Sequence, residues 1–205
     1  FLLFVFLSAM FGIVLSNNLL WMYFFWEITT ICSFLLIGYT RQDIAVKNSF
    51  KALIMNLFGG FGFAAAIMYL GYVVEIQELN KLPALAQSGI ELLIPAVLLA
   101  IAGLSKSAQM PFSGWLLGAM VAPTPSSALL HSSTMVKAGV YLLIRIAPTL
   151  GYNVAGILVM MVGGITFFLA SLMAITKSDG KKVLAYSTIS NLGLIVACAG
   201  IGSYE

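Results

Sequence analysis

Charged residues are what this sequence has least of: Asp, Glu, Lys and Arg make up 8% of its 205 residues, against about 25% in soluble domains. A water-soluble globule is excluded by that figure together with a hydrophobic share of 61% and a mean hydropathy of +1.04. The net charge of +3 comes from residues spread along the chain, which excludes a nucleic-acid-binding surface built from a basic run. Cys32 and Cys198 lie far apart in apolar runs with no CxxC spacing, so neither a disulfide framework nor a metal site is indicated. Both read as small packing residues. No nucleophile–base triad and no phosphate-binding Gly loop is present, since Gly59, Gly60 and Gly62 sit inside an apolar run and serve close helix packing. The opening FLLFVFLSAM lacks an initiator Met and a basic segment, so it is not a signal peptide. Both ends read as cut from a longer polypeptide.

What is there is a succession of apolar runs separated by short polar or Gly/Pro turns. A membrane-spanning helix needs roughly 20 apolar residues, and the runs place about seven spans at 1–15, 19–38, 44–73, 92–121, 124–147, 153–176 and 182–201. Every backbone polar group must be paired internally within a bilayer, and no period-2 alternation signals a barrel, so the fold class is all-α transmembrane. The long polar interlude from Val73 to Glu91 is expected to be a solvated loop on the membrane surface.

The connections set the orientation. Arg41, Lys47 and Lys51 flank the second connection, and Lys177, Lys181 and Lys182 the sixth, while the third carries Glu75, Glu78 and Glu91 against Lys81 alone. By the positive-inside rule the second, fourth and sixth connections face the cytoplasm. Arg145, near the fifth, is a minority charge on the other side.

Three ionisable groups fall at mid-span: Glu27 in the second helix, Lys106 in the fourth and Lys137 in the fifth. Such groups cost at least about 2.5–3.5 kcal/mol each on insertion scales, and they usually face a bundle interior and mark ion or proton pathways. A buried Glu–Lys pair that only fixes packing is the alternative, but such a bridge does little better than an apolar pair. Glu27 and Lys106 are therefore expected to pair, directly or through one water. In the fourth helix Pro111 lacks a backbone donor and its ring crowds the carbonyl of Ser107. A break between Ser105 and Pro111 follows, and non-helical backbone at membrane depth is tolerated where it lines a protein-buried or watery cavity.

The fifth helix opens with Pro123 and Pro125, which suit a first turn. His131 and Lys137, six residues apart, are separated by about 9 Å along a helix and roughly 120° around it, so they do not touch. Ser133 and Thr134 lie between them, and their hydroxyls with water can bridge the gap. Lysine and histidine can both change protonation state near neutral pH when their surroundings favour it, and a coupled set shares its protons. Glu27, Lys106, His131 and Lys137 are thus candidates for a proton relay.

The segments WEITTICSFLLIGY (26–39), LSKSAQMPFSGWLLGAMVAPTPSSALLHSSTMVKAGVYLLIR (104–145) and GKKVLAYSTISNLGLI (180–195) resemble the antiporter-like subunits shared by respiratory complex I, Mrp-type cation/proton antiporters and membrane-bound energy-converting hydrogenases. The resemblance spans nearly the whole chain. It implies two inverted five-helix repeats, the first at 1–147 and the start of the second at 148–205, with the fourth helix discontinuous. It also implies proton-path roles for Glu27, Lys106 and His131. Lys137 resembles a lysine that Mrp-type and hydrogenase-type members often carry, and Lys181 or Lys182 corresponds to a lysine on the cytoplasmic side of its helix. Complex I relatives tend to show Arg and Asp where this chain has Leu57 and Gly60, which points towards the hydrogenase branch.

The function so implied is translocation of protons, with Na⁺ coupling as an option, in a redox-driven complex of the hydrogenase or NADH–quinone oxidoreductase type. The alternatives are a cation/proton antiporter without redox partners and a structural membrane module. The redox site, if any, lies on other subunits: the chain is expected to bind no flavin, iron–sulfur cluster or nickel. Its partners are other membrane subunits, peripheral redox subunits indirectly, and lipid. The prokaryotic cytoplasmic membrane is the expected location.

Overall fold

A computed structural model describes residues 1–87, 92–130, 134–151 and 153–202. The described residues are helical throughout, apart from turns and one isolated β-bridge. Helix α1 (Leu2–Leu15) and helix α2 (Leu19–Ile37) form a hairpin whose turn is fixed by Asn18: its side chain accepts from the amides of Leu20 and Trp21, which the first turn of a helix otherwise leaves unpaired. Helix α3 (Asp43–Tyr69) returns after a 3₁₀ turn, its N-terminus carrying Asp43 in the favourable end of the helix dipole. A short α4 (Leu82–Gln87) leads towards α5 (Leu93–Lys106). Then come α6 (Gly114–Ala119), α7 (Thr124–Ala128), α8 (Met135–Leu150), α9 (Val154–Ile175) and α10 (Gly180–Ile201).

Four helical stretches are long and apolar enough to cross a membrane: Leu19–Thr40, Asp43–Val74, Val154–Ile175 and Gly180–Ile201. Helices α1 and α5 are shorter and apolar. Their flanks show large apolar side chains to the outside, among them Phe4, Phe11, Trp21, Phe24, Phe61 and Ile175. In water such a surface would aggregate; against lipid or a neighbouring subunit it is the stable arrangement.

Two expectations are corrected. The run at 124–147 is not one helix: α7 ends at Ala128, and Thr134, with φ −136° and ψ −77°, stands outside the helix as the N-cap of α8. Its hydroxyl donates to the Leu129 carbonyl at 2.7 Å. The interlude after Val73 is not a free loop either. Glu75 takes a left-handed conformation, Asn18 and Glu78 form an antiparallel bridge, and Leu79 and Leu82 are buried. The amide of Leu19 donates to Gln77 at 2.8 Å and that of Leu79 to Asn17 at 2.8 Å, so the first and third connections are stitched together. Apolar anchors at positions 79 and 82 pull the segment onto the bundle, with Glu75, Gln77 and the Lys81–Glu78 ion pair on its solvent side.

Helices α3, α5 and α8 pack in succession, with α2 on the far side of α3, and α9–α10 form a tight hairpin against α5 and α8. The hairpin seam is made by glycines that face each other: a Cβ on Gly163 would lie 2.7 Å from the Gly193 carbonyl, and one on Gly156 2.7 Å from that of Gly200. Within lipid there is no hydrophobic drive between helices, so this backbone proximity and the dispersion it allows hold the pair.

Candidate functional site

Lys106 is the last residue of α5 and has no accessible surface. Its ammonium group reaches α2, where Nζ donates to the Trp26 carbonyl at 3.1 Å and to the Thr30 hydroxyl at 2.7 Å. The same nitrogen lies 5.0 Å from the centroid of the Trp26 ring, a cation–π distance. Thr30 in turn donates to the Trp26 carbonyl at 3.1 Å, so ammonium, hydroxyl and carbonyl form one chain.

The expected Glu27–Lys106 ion pair is not formed directly; among the described residues Lys106 has no carboxylate partner within ion-pair distance. The reason is helical geometry. Residues 26 and 30 share a face of α2, and Glu27 is turned about 100° away from Trp26. Its carboxylate is directed at α3, where Gly60 makes room: a Cβ at that position would collide with Oε1. That oxygen is buried and takes no hydrogen bond. Thr30 is the polar neighbour common to both charged groups. From outside, a groove lined by Leu20, Trp21, Tyr23, Phe24, Ile28 and Ile31 reaches Glu27.

The backbone opens immediately after Lys106. Ser107 ends the helix, Ala108 takes φ +54° while fully buried, the Met110–Pro111 peptide is cis, and helix resumes only at Gly114. Ser105 and Ser107 spend their hydroxyls on the carbonyls of Ala102 and Leu104, the local competition that weakens a helical ladder. The opened segment is held from three sides. The Gln109 amide donates to Leu104 O at 3.0 Å, the Met110 amide to the Thr166 hydroxyl of α9 at 3.0 Å, and Trp115 Nε1 to Ser105 O at 3.0 Å. An amine that loses or gains a proton here has neutral acceptors and rearrangeable backbone around it rather than a locked ion pair.

Residues 16–205 match the family described as NADH:quinone oxidoreductase/Mrp antiporter, TM. The chain belongs to that family. Its relatives include the Na⁺/H⁺ antiporter subunit A1 of Staphylococcus saprophyticus, 43% identical over 98% of this chain and 26% of the relative, and that of Staphylococcus aureus, 42% identical over the same shares. The chain thus spans about a quarter of these relatives' length. Among solved structures, the Mrp complex of a Dietzia species aligns with TM-score 0.89 and 36% identity over 98% of this chain and 23% of that one. The membrane-bound sulfane sulfur reductase of an archaeon shares the fold, with TM-score 0.85 at 20% identity over 97% of this chain and 42% of that one. The chain is an integral membrane protein of a prokaryotic cytoplasmic membrane.

In this NADH:quinone oxidoreductase/Mrp-type chain the other sequence-derived candidates do not all gather at Lys106. Lys137 lies on the exposed side of α8, although Gly139, two residues on, touches the backbone of Ser107. His131 and Ser133 lie outside the described residues, and Thr134 caps α8. Pro111 is exposed and stands within the break. Lys181 turns inward and donates to the Ala122 carbonyl at 3.4 Å, beside the α6–α7 connection, whereas Lys182 is exposed. Leu57 is exposed on α3, away from the site. Cys32 is buried and Cys198 is on the exposed side, so only the first fits the packing reading.

Thr30 and Gln109 were not singled out by sequence reasoning. Thr30 had a signal, since it stands four residues after Trp26 and three after Glu27 on a helix. Gln109 had only its place before Pro111. Among the described residues no group of three His, Cys, Asp or Glu side chains is placed to hold a metal.

Proposed function

We propose that this chain is the ion-translocating part of an antiporter-like subunit that moves protons, coupled to Na⁺, across a prokaryotic cytoplasmic membrane. The observation that carries it is the buried Lys106 amine, held by a carbonyl and a hydroxyl at a helix break, with the Glu27 carboxylate beyond Thr30. A lysine so placed can pass a proton on without breaking a direct ion pair, and the carboxylate offsets the ammonium charge while the proton is held. Glu27, Lys106, His131 and Lys137 are the proposed path residues. Lys181 is the better placed of the two lysines at 181 and 182.

The curated relatives, named as subunits of Na⁺/H⁺ antiporters, weigh towards antiport over a hydrogenase or quinone-reductase complex. Gly60 no longer argues for the hydrogenase branch, because the Glu27 carboxylate needs the space that a larger residue would fill. The partners on this reading are other membrane subunits of the complex.

The proposed topology has seven crossings, with 1–147 as the first inverted five-helix repeat and 148–205 beginning the second. Same-side contacts support it. The first and third connections share hydrogen bonds, and Lys181 of the sixth reaches Ala122 of the fourth. The basic second and sixth connections, and with them the fourth, then face the cytoplasm.

Transport in everted vesicles, followed with a pH-sensitive dye on Na⁺ addition to the full complex, tests the assignment. Lys106→Met is expected to leave the subunit at normal abundance and abolish Na⁺-dependent proton movement. Lys106→Arg is expected to impair it strongly, because Arg stays protonated. Normal transport by both variants would falsify the relay role.

A further inference from the structure

Asn56 lies near the middle of α3 with 1% of its surface accessible. Its Nδ2 donates to the Ala52 carbonyl one turn back at 2.8 Å, a bond that only the amide end of the side chain can make. Oδ1 is therefore the end turned to the neighbouring helices, and it is buried without a hydrogen bond.

Helical register places that oxygen beside the Lys106 amine. Gly59, Gly60 and Phe63 follow three, four and seven residues on, so they share a face of α3 with Asn56. Gly59 meets α5, where a Cβ would collide with the Ser105 hydroxyl, and Gly60 meets α2, where a Cβ would collide with Glu27 Oε1. At about 100° per residue, Asn56 points between those two directions, into the seam of α2 and α5 that the Lys106 side chain crosses. Its level follows from ring contacts: Trp26 packs on Phe63 at 5.3 Å and Phe34 on Phe50 at 5.1 Å. Thr30 is midway between Trp26 and Phe34, and Asn56 is near the midpoint of Phe50 and Phe63, so the antiparallel helices bring the two opposite each other. The Lys106 amine is bonded to this same Thr30 at 2.7 Å. Lys106 from α5 and Glu27 from α2 are the charged groups that border the seam.

An ammonium group carries three N–H donors, and the Trp26 carbonyl and Thr30 hydroxyl take two of them. The third faces a seam with two buried acceptors that take no hydrogen bond, Asn56 Oδ1 and Glu27 Oε1. Buried groups of this kind are commonly satisfied by an ordered water that makes about three hydrogen bonds. Positions one helical turn apart have Cβ sites about 5–6 Å apart, so an oxygen on Asn56 and one seated at the missing Cβ of Gly60 lie within reach of a single water.

We propose that Asn56 is a positioning residue of the ion path, its Oδ1 anchoring a water that accepts the third N–H of Lys106 and gives its other hydrogen to Glu27 Oε1. This rests on the reading of Lys106 as a proton carrier. The water ties amine to carboxylate without a direct ion pair. Asn56 is neutral, so it holds the water in place whichever of the two charged groups carries the proton.

The test uses the full-length subunit in its complex, in everted vesicles, with Asn56→Leu, Asn56→Asp and Lys106→Met in parallel. Asn56→Leu is nearly isosteric and removes the anchor; it is expected to lower the maximal rate of Na⁺-dependent proton movement at least fivefold at unchanged abundance. The Na⁺ concentration for half-maximal rate is expected to stay within twofold. A packing role predicts the opposite, because an apolar isostere relieves an unpaired oxygen and leaves transport intact. Asn56→Asp, in its protonated form, donates to Ala52 and presents Oδ1 as asparagine does, and it is expected to retain at least a third of the parent rate. If Asn56→Leu transports within twofold of the parent while Lys106→Met does not transport, the Asn56 assignment falls and the Lys106 reading stands. Normal transport by both variants overturns both. The assignment also falls if Asn56→Asp is no better than Asn56→Leu, or if Asn56→Leu keeps its maximal rate but needs tenfold more Na⁺. Should Asn56→Leu fail to accumulate, cryo-electron microscopy of the unmodified complex decides. A water within hydrogen-bond distance of both Asn56 Oδ1 and Lys106 Nζ supports the assignment, and its absence, or a protein group donating directly to Oδ1, overturns it.

Discussion

The break after α5 and the α9–α10 hairpin lie against each other and solve opposite problems. In the hairpin every backbone group is claimed by a helix, side chains at the seam shrink to hydrogen, and Gly163 and Gly193 let the two backbones touch. In the break the helix stops at a charged residue, a buried Ala sits at positive φ, and two side chains, Thr166 and Trp115, with one backbone bond satisfy what the helix gave up. The hairpin supplies rigidity and the break supplies chemistry. Irregular backbone at this depth is stable only because a rigid, close-packed wall shields it from lipid.

The contrast breaks first in the hairpin. Gly163→Leu drives a side chain into the Gly193 carbonyl and the Ala197 amide, both backbone and both immovable without parting the helices. The expected outcome is loss of the assembled subunit, read as abundance in purified membranes. A variant that accumulates normally would mean the seam is looser than described.

The next effect belongs to the site. Thr30→Val is nearly isosteric and removes the hydroxyl that accepts from Lys106 at 2.7 Å. The lost bond involves a charged group, worth about 1.5–3 kcal/mol, so transport is expected to fall roughly tenfold or more while abundance holds. Thr30→Ser restores the acceptor and most of the rate. Equal rates for Val and Ser would remove Thr30 from the relay. A smaller effect is expected at Gly60→Ala, where the new methyl meets Glu27 Oε1, the mobile end of a side chain. The carboxylate can rotate aside, so transport is expected to drop a few-fold with little change in abundance.

Most of the fold was legible because lipid imposes a simple code. Apolar runs of spanning length mark helices, and α2, α3, α9 and α10 lie within a few residues of where the runs place them. The helix break was legible from Lys106, the adjacent serines and Pro111. The division of the fifth run into α7 and α8 was not, because residues 124–147 keep an apolar pattern and Thr134 leaves the helix through a local hydroxyl–carbonyl bond that no periodicity reveals. Pairing of Glu27 with Lys106 was inferred from depth alone. Depth says nothing about azimuth, and it is azimuth that sends Glu27 to Gly60 and Lys106 to Thr30. Azimuth likewise separates Lys137, which lies on the exposed side of α8, from Lys106.

The smallest effect is expected at Ala108, and its sign is set by three terms. With φ at +54°, Ala108 holds a left-handed conformation that costs a non-glycine residue about 1–2 kcal/mol, and Ala108→Gly removes that cost. Against this, glycine loses about 0.5–1 kcal/mol more backbone entropy on folding than alanine. The substitution also deletes a methyl with no accessible surface, which removes about 0.8 kcal/mol of burial if the surroundings do not close up. The terms nearly cancel, so the thermal midpoint of the purified complex is expected to move by no more than a few degrees. Gly202 gives the matching control at the end of the hairpin. It holds φ +72° as the C-cap of α10, and its Cβ would lie 2.6 Å from Gly151, so Gly202→Ala carries both strain and collision and is expected to lower the midpoint clearly. If Ala108→Gly destabilised the complex as much as Gly202→Ala, the methyl at 108 would be a packing contact of the break rather than a tolerated strain. The break would then resemble the hairpin more than the present contrast allows.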